Sequence, residues 1–227
     1  MSKTSKTSKT HAPQIVTHLG SGQASKTRKI KLTDKTMLNK KFWSAVFKKQ
    51  GDFDISRRKI IGECAIAQHL AKQAIFALQR DGKKEAEEKL KESTTMLVSL
   101  DKRFGKDFRL RMEGAWKAAV EEYTEAKLYS DFYHGKSIGE IKEFNVEADE
   151  FIGALSDVSG EIVRSMVILT TKGKIDQVKK AAEAVSEIIH ELMQYNYGGY
   201  LRTKFDQAKK NLNKAEEILY DLSIRNK

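Results

Sequence analysis

The chain has 227 residues and a single proline, Pro13, so nothing downstream is built to interrupt a helix, and no alternating β-branched run marks a strand; a β-fold is excluded and an all-α domain expected. The formal charge is +11, but residues 1–41 hold nine Lys and one Arg against one Asp, so +9 belongs to that segment and the rest is close to neutral. One cysteine excludes a disulfide framework or a cysteine-based zinc site, and the lack of a membrane-length apolar run or a secretory apolar core predicts a cytoplasmic protein with no membrane partner.

Residues 1–33 repeat Ser-Lys-Thr at 2–4, 5–7, 8–10 and 25–27, which predicts a disordered basic tail ahead of a helical domain over 34–227. It is Lys-rich and unpatterned, unlike an Arg-rich amphipathic leader. Such a tail suits a polyanion, and a solubilising extension is the competing reading. Asp34 is placed to cap a short helix ending near Gly51, with Met37, Leu38, Phe42, Val46 and Phe47 on one side. A long helix then starts at Asp54 or Ser56 and runs to about Arg80, with Ile61, Cys64, Ala67, Leu70, Ala71, Ala74, Ile75 and Leu78 inside. Arg57, Arg58 and Lys59 in its first turn oppose the helix dipole, so they are tolerated at a frayed end or carried for an anionic ligand. Arg57 and Arg58 are accordingly candidate nucleic-acid contacts. After Asp81-Gly82, a strongly charged helix from about Lys84 to Phe104 reads as a solvated face.

The next segment, Phe108 to Arg164, carries four carboxylates on two helices. On the first, Met112, Ala115, Trp116, Ala119, Val120 and Tyr123 make a core-facing stripe, and a second row sets Glu122 and Glu125 among Ala118, Tyr129 and Phe132. The two acids stand one turn apart and point the same way. Residues 135–144 form a short connection with at most one helical turn. On the second helix, Glu147 to about Thr171, Asp157 and Glu161 share a face opposite Phe151, Ile152, Leu155, Val158, Ile162, Val163 and Met166. Gly153, Ser156 and Gly160 flank the acids as a strip of small residues that lets a neighbouring helix approach. Spacing alone leaves two readings open: solvated acids with Arg164 bridging Glu161, or carboxylates converging on one cation. Farther on, a helix from Ile175 to Gln194 holds Glu187-Ile188-Ile189-His190, the spacing of di-iron bundles. Those need a second copy, which the sequence lacks, so His190 is expected to be partly buried or at an interface. The last helix repeats Leu201, Phe205, Ala208, Leu212, Ala215, Leu219 and Leu222 in steps of three and four, a helix-packing seam whose mate is in this chain or in another subunit.

Three segments, Glu122-Tyr123-Thr124-Glu125-Ala126, Asp157-Val158-Ser159-Gly160-Glu161-Ile162-Val163-Arg164 and Tyr220-Asp221-Leu222-Ser223-Ile224-Arg225, resemble landmarks of the translin family over about residues 52–226. The resemblance implies a translin-like antiparallel bundle of six to seven helices, in a hollow homo-oligomer, commonly an octamer. It implies single-stranded RNA, and also single-stranded DNA, as partners. In the Trax branch Glu122, Glu125 and Asp157 fall on the catalytic acids of a Mg²⁺-dependent endoribonuclease, with Glu161 beside them as a further metal-site residue and Mn²⁺ as an alternate cofactor. The C-terminal segment is more like the translin branch, which binds single-stranded nucleic acid without turnover. Aligned on Trp116, Arg111 and Lys117 fall where that branch has basic residues against nucleic acid, and Arg109 joins them as a phosphate contact; Glu113 and Ala115 replace its histidines, which weakens this second site. A purely structural helical oligomer with salt-bridged acids is the third reading. No Ser-His-Asp set, reactive cysteine or glycine-rich phosphate loop competes for the chemistry.

Overall fold

The computed structural model describes residues 38–225, which form seven helices and no strand among the described residues. They are α1 (Lys40–Gln79), α2 (Lys83–Phe104), α3 (Phe108–Arg111), α4 (Gly114–Tyr133), α5 (Ala148–Thr171), α6 (Ile175–Leu192) and α7 (Gly199–Arg225). The expected all-α architecture is therefore present. The tail over 1–33 and the Asp34 cap lie outside the described residues. Contacts divide the chain after Trp43. In the first unit, Asn39 Oδ1 accepts the Phe42 N–H at 3.1 Å, a capping bond, and the Phe42 and Trp43 rings meet edge to face. The second unit, from Ser44, carries the core and the acids.

Where two helices were expected before Arg80, there is one. α1 is 40 residues and about 60 Å long, passing through Gly51, Asp54 and Ser56 without a break. A helical glycine costs only ~1 kcal/mol. The polar residues that looked like a new start bond within the helix: Gln50 Nε2 donates to Asp54 Oδ1 at 2.9 Å, and Ser56 Oγ donates back to the Asp52 carbonyl at 3.0 Å. Conversely, the helix expected to run unbroken from Phe108 is split. Asp107 accepts the Arg109 N–H and opens the single turn α3, while Glu113 is extended (φ −64°, ψ 129°) ahead of Gly114 and α4. Met112, read as core, is consequently exposed. The 135–147 connection contains no helical turn, and it contributes Ile141 and Phe144 to the core.

α5 lies centrally, against α4, α6 and α7. Its own sequence is the reason: Gly153, Ser156 and Gly160 leave room for neighbours, and a Cβ on Gly160 would stand 3.2 Å from the Asn211 amide of α7. Ser93 Oγ donates to the Ala67 carbonyl at 2.9 Å and so fastens α2 to α1 in the interior. The α7 seam finds its mate in its own chain, with Phe205, Ala208 and Ala215 buried and Leu201, Leu212, Leu219 and Leu222 packed on the core. The α1–α2 turn places Asp81 in the left-handed region at φ 62°, which aspartate tolerates, and its carboxylate accepts from Tyr133 Oη (3.0 Å) and Lys172 Nζ (2.7 Å). No helix among the described residues is long and apolar enough to cross a membrane.

Glu150, 1% exposed, accepts both arms of Arg111 at 2.8 and 3.0 Å, and the Glu147 N–H at 3.0 Å. This buried pair joins α3 to the start of α5. Removing one partner strands a charge, so Arg111→Ala should destabilise the fold by about 3–5 kcal/mol. Arg111→Met/Glu150→Leu should lose less than the single variant, and Arg58→Ala, at an exposed position, should stay within ~0.5 kcal/mol. Urea midpoints of the three variants check the ordering.

Candidate metal centre

The four acids singled out by helical spacing reach one cleft. It has a volume of about 890 Å³ and is floored by α4 (Glu122, Glu125) and α5 (Asp157, Glu161), with walls from α1 and α7. Glu125 is the innermost, 8% exposed. Among the described residues no hydrogen bond or ion pair reaches it. Burial, followed by repulsion from Glu122, Asp157 and Glu161, pushes its carboxyl up to about 9, so it holds a proton at neutral pH.

The other three are each held by a residue outside the acidic pairs. Lys72 of α1 pairs with Glu122 at 2.8 Å. Lys204 of α7 bonds Asp157 and, at 2.7 Å, also Glu121. Gln79 of α1 donates to Glu161, while Arg164 stands 4.0 Å from that carboxylate. Burial raises the Glu161 carboxyl above its ordinary value against the opposing pull of Arg164 and Gln79. Burial alone would lower the Lys204 ammonium; its bonds to Asp157, Glu121 and Tyr200 outweigh that and raise it. Tyr200 Oη completes this corner by donating to Glu121 Oε1 at 2.5 Å.

The donor set is all oxygen and suits a hard divalent cation, and a buried carboxylate without a partner is what such a cation would satisfy. The spacing is another matter: among the described residues no three His, Cys, Asp or Glu side chains are grouped as a metal site. In this arrangement ammonium groups, not acids, complete the coordination of the Glu122 and Asp157 oxygens.

The five basic candidates lie elsewhere. None of them lines the cleft. Arg57 forks onto Glu113 at 2.6 and 3.1 Å, bracing α1 against the α3–α4 break. Arg109 lies 3.9 Å over the Phe53 ring, and Lys117 meets Asp149 at 2.9 Å. Arg58 is exposed. Arg111 is committed inside the fold to Glu150, so its expected phosphate contact is replaced by a structural one. His190 is exposed, on the rim of a second, larger cleft, rather than partly buried within the chain.

Glu121, Lys72, Gln79, Tyr200 and Lys204 were not legible from local patterns. Lys72 and Gln79 carried a faint signal, as polar residues next to the apolar run of α1; Lys204 carried none, because α7 meets α5 only in the tertiary fold.

Comparison with known proteins places this geometry. Residues 46–226 match the Translin family. No curated protein matches. Among solved structures, apo-NeC3PO is 20% identical with a TM-score of 0.73, covering 82% of this chain and 98% of that one. AfC3PO is 17% identical with a TM-score of 0.73 over 81% of this chain and 98% of its own. A complex of AfC3PO with duplex RNA gives 0.72 at 17% identity, over 81% and 97%.

Proposed function

From the chain's membership of the translin family, which its match over residues 46–226 shows, we propose that it binds single-stranded nucleic acid and cleaves single-stranded RNA as a Mg²⁺-dependent endoribonuclease. The observation that carries the reading is Glu125, a buried, partnerless carboxyl at the meeting point of three more acids in an open cleft. A protein gains no stability from such a group, and a cation site explains it.

Glu122, Glu125 and Asp157 are the groups to hold the cation or activate water, and Glu161, oriented by Gln79, supports them. Bound Mg²⁺, or Mn²⁺ in its place, polarises a phosphate and lowers the pKa of an attacking water. Glu125 gives up its proton when the cation is held. The α1 and α7 walls confine a phosphodiester to the cleft, whose remaining side chains include Lys72, Arg80, Arg164 and Lys204. Beyond the cleft, Arg57, Arg58, Arg109 and Lys117 are surface cations; the exposed pairs among them are worth at most ~1 kcal/mol and yield to a phosphate. A homo-oligomer is part of the proposal. Ile55, Ile66, Phe108, Tyr220 and Ile224 are large apolar side chains exposed on a single chain, and subunit contacts would cover them.

The ion-paired arrangement of Glu122 and Asp157 favours one second reading: a nucleic-acid-binding protein without turnover, in which these acids serve structure. Incubating purified protein with end-labelled single-stranded RNA, in Mg²⁺ and in EDTA, separates the two. The nuclease reading expects internal cleavage in Mg²⁺ and none in EDTA. Tight binding with no cleavage in Mg²⁺ or Mn²⁺ supports the second.

A further inference from the structure

The cleft contains two cations of its own, and each does something a surface lysine does not. Lys204 has a side chain only 21% exposed, yet its ammonium is shared by Asp157 and Glu121, carboxylates from two different helices. Lys72, from the opposite wall, sits on Glu122 and feels the charge of Glu125 and Asp157 as well. Between them lies Glu125, which neither lysine contacts. The acids thus carry the charge of a cation site while ammonium groups occupy two of its four corners.

We infer that Lys72 and Lys204 are resident counter-cations that hold the metal-free cleft together, yield their carboxylates to a divalent cation, and then hold the phosphodiester. The inference rests on the nuclease reading and adds two substrate-positioning residues to it. Three physical points support it. An ammonium is a point charge with three donors on a flexible stem, so it can leave a carboxylate without disturbing its backbone. A divalent cation and an ammonium compete for the same oxygens, since each is stabilised by the same negative potential. Once displaced, both ammonium groups stand at the cleft in which a phosphate would lie, and phosphate is the strongest anionic acceptor available to them. The arrangement also accounts for the fold's tolerance of five acids at one place: without Lys72 and Lys204, Glu121, Glu122, Asp157 and Glu161 would face each other with only Arg164 nearby.

The test is the affinity for Mn²⁺ alone, measured by electron paramagnetic resonance on full-length protein, for wild type, Lys72→Met, Lys204→Met and Lys204→Arg, with thermal unfolding to confirm that each is folded. Lys72, with a side chain 57% exposed, is the safer substitution and keeps the test decisive if Lys204→Met does not fold. Removing a competitor should tighten Mn²⁺ binding roughly tenfold in each Met variant, a competition effect set by the lost ion pair. The same variants should raise KM for single-stranded RNA, or lower kcat, by roughly tenfold. Lys204→Arg should keep near-wild-type Mn²⁺ affinity, because the cation remains. Opposite movement of metal affinity and activity is the signature; a lysine that merely supports the fold would weaken both. Unchanged or weaker Mn²⁺ binding in Lys72→Met overturns the inference and leaves the nuclease reading intact. No Mn²⁺ binding by wild type sinks that reading itself, and this inference with it.

Discussion

Replacing two acids of α4, in Glu122→Ala/Glu125→Ala, should abolish RNA cleavage, by at least ~10³-fold, while single-strand binding stays within about threefold of wild type. The size follows from what the two groups do together. Half of the oxygen donors leave the cleft, and a cation that stabilises developing charge on a phosphate is worth several kcal/mol of barrier, each 1.4 kcal/mol being a factor of ten. The split between cleavage and binding follows from charge. Removing carboxylates takes no phosphate contact away, and it relieves repulsion of an incoming polyanion, so affinity holds or rises. Lys72 loses its partner on Glu122, but its ammonium sits at a half-exposed position where water takes over. Single-turnover cleavage of end-labelled RNA, beside filter binding of the same strand, measures both quantities. Equal cleavage by the double variant and wild type would move the chemistry away from this cleft.

The second large effect concerns pH. Glu125 is held up to about 9, far above its ordinary 4.5, so between those values the unfolded chain has released a proton that the folded chain keeps. Stability from this group is whole below pH 4.5, falls through the window and is gone above pH 9. The slope is at most about 1.4 kcal/mol per pH unit, which from pH 6 to 8 amounts to about 3 kcal/mol. Glu161, also raised, adds in the same direction. Groups that shift the other way act elsewhere: Asp81 and Asp149, lowered by their bonds to Lys172 and Lys117, lose their contribution only as the solution turns strongly acid. Lys72 and Lys204, both raised, lose theirs only at strongly alkaline pH. In EDTA, wild-type protein should therefore melt at steadily lower temperature from pH 6 to 8.5. Glu125→Gln, neutral and nearly isosteric, should flatten that decline and stabilise the metal-free protein at pH 8. A melting profile that is flat for wild type, or equally steep in Glu125→Gln, would show that Glu125 is not the titrating group.

How much of this could be read before the fold was known depends on the range of the interaction. Helical spacing is local, and it placed Glu122 with Glu125 and Asp157 with Glu161 on shared faces; the small strip Gly153, Ser156 and Gly160 marked the side from which a helix approaches. That the two faces meet over one cleft needed the tertiary structure, and so did the ions already there, since Lys204 and Asp157 are 47 residues apart. Helix ends failed where two local signals conflicted. Gly51 resembled a stop and Ser56 a start, yet side chains there bond within α1 and the helix continues. At Glu113 the conflict ran the other way: an unbroken apolar stripe suggested one helix, but the fork from Arg57 holds Glu113 at a break that periodicity could not reveal. Arg111 looked like a surface cation because sequence does not show the buried Glu150 that receives it.

The most direct test of the central claim is a Mn²⁺ titration of metal-free protein, followed by electron paramagnetic resonance, with Glu125→Gln as the comparison. The account predicts saturable binding by wild type that Glu125→Gln weakens at least ~30-fold, since the innermost oxygen donor would then be neutral and unable to ionise. Binding of equal strength in the two proteins, or none in either, would contradict it, and would leave four acids gathered at one cleft for the sake of the fold.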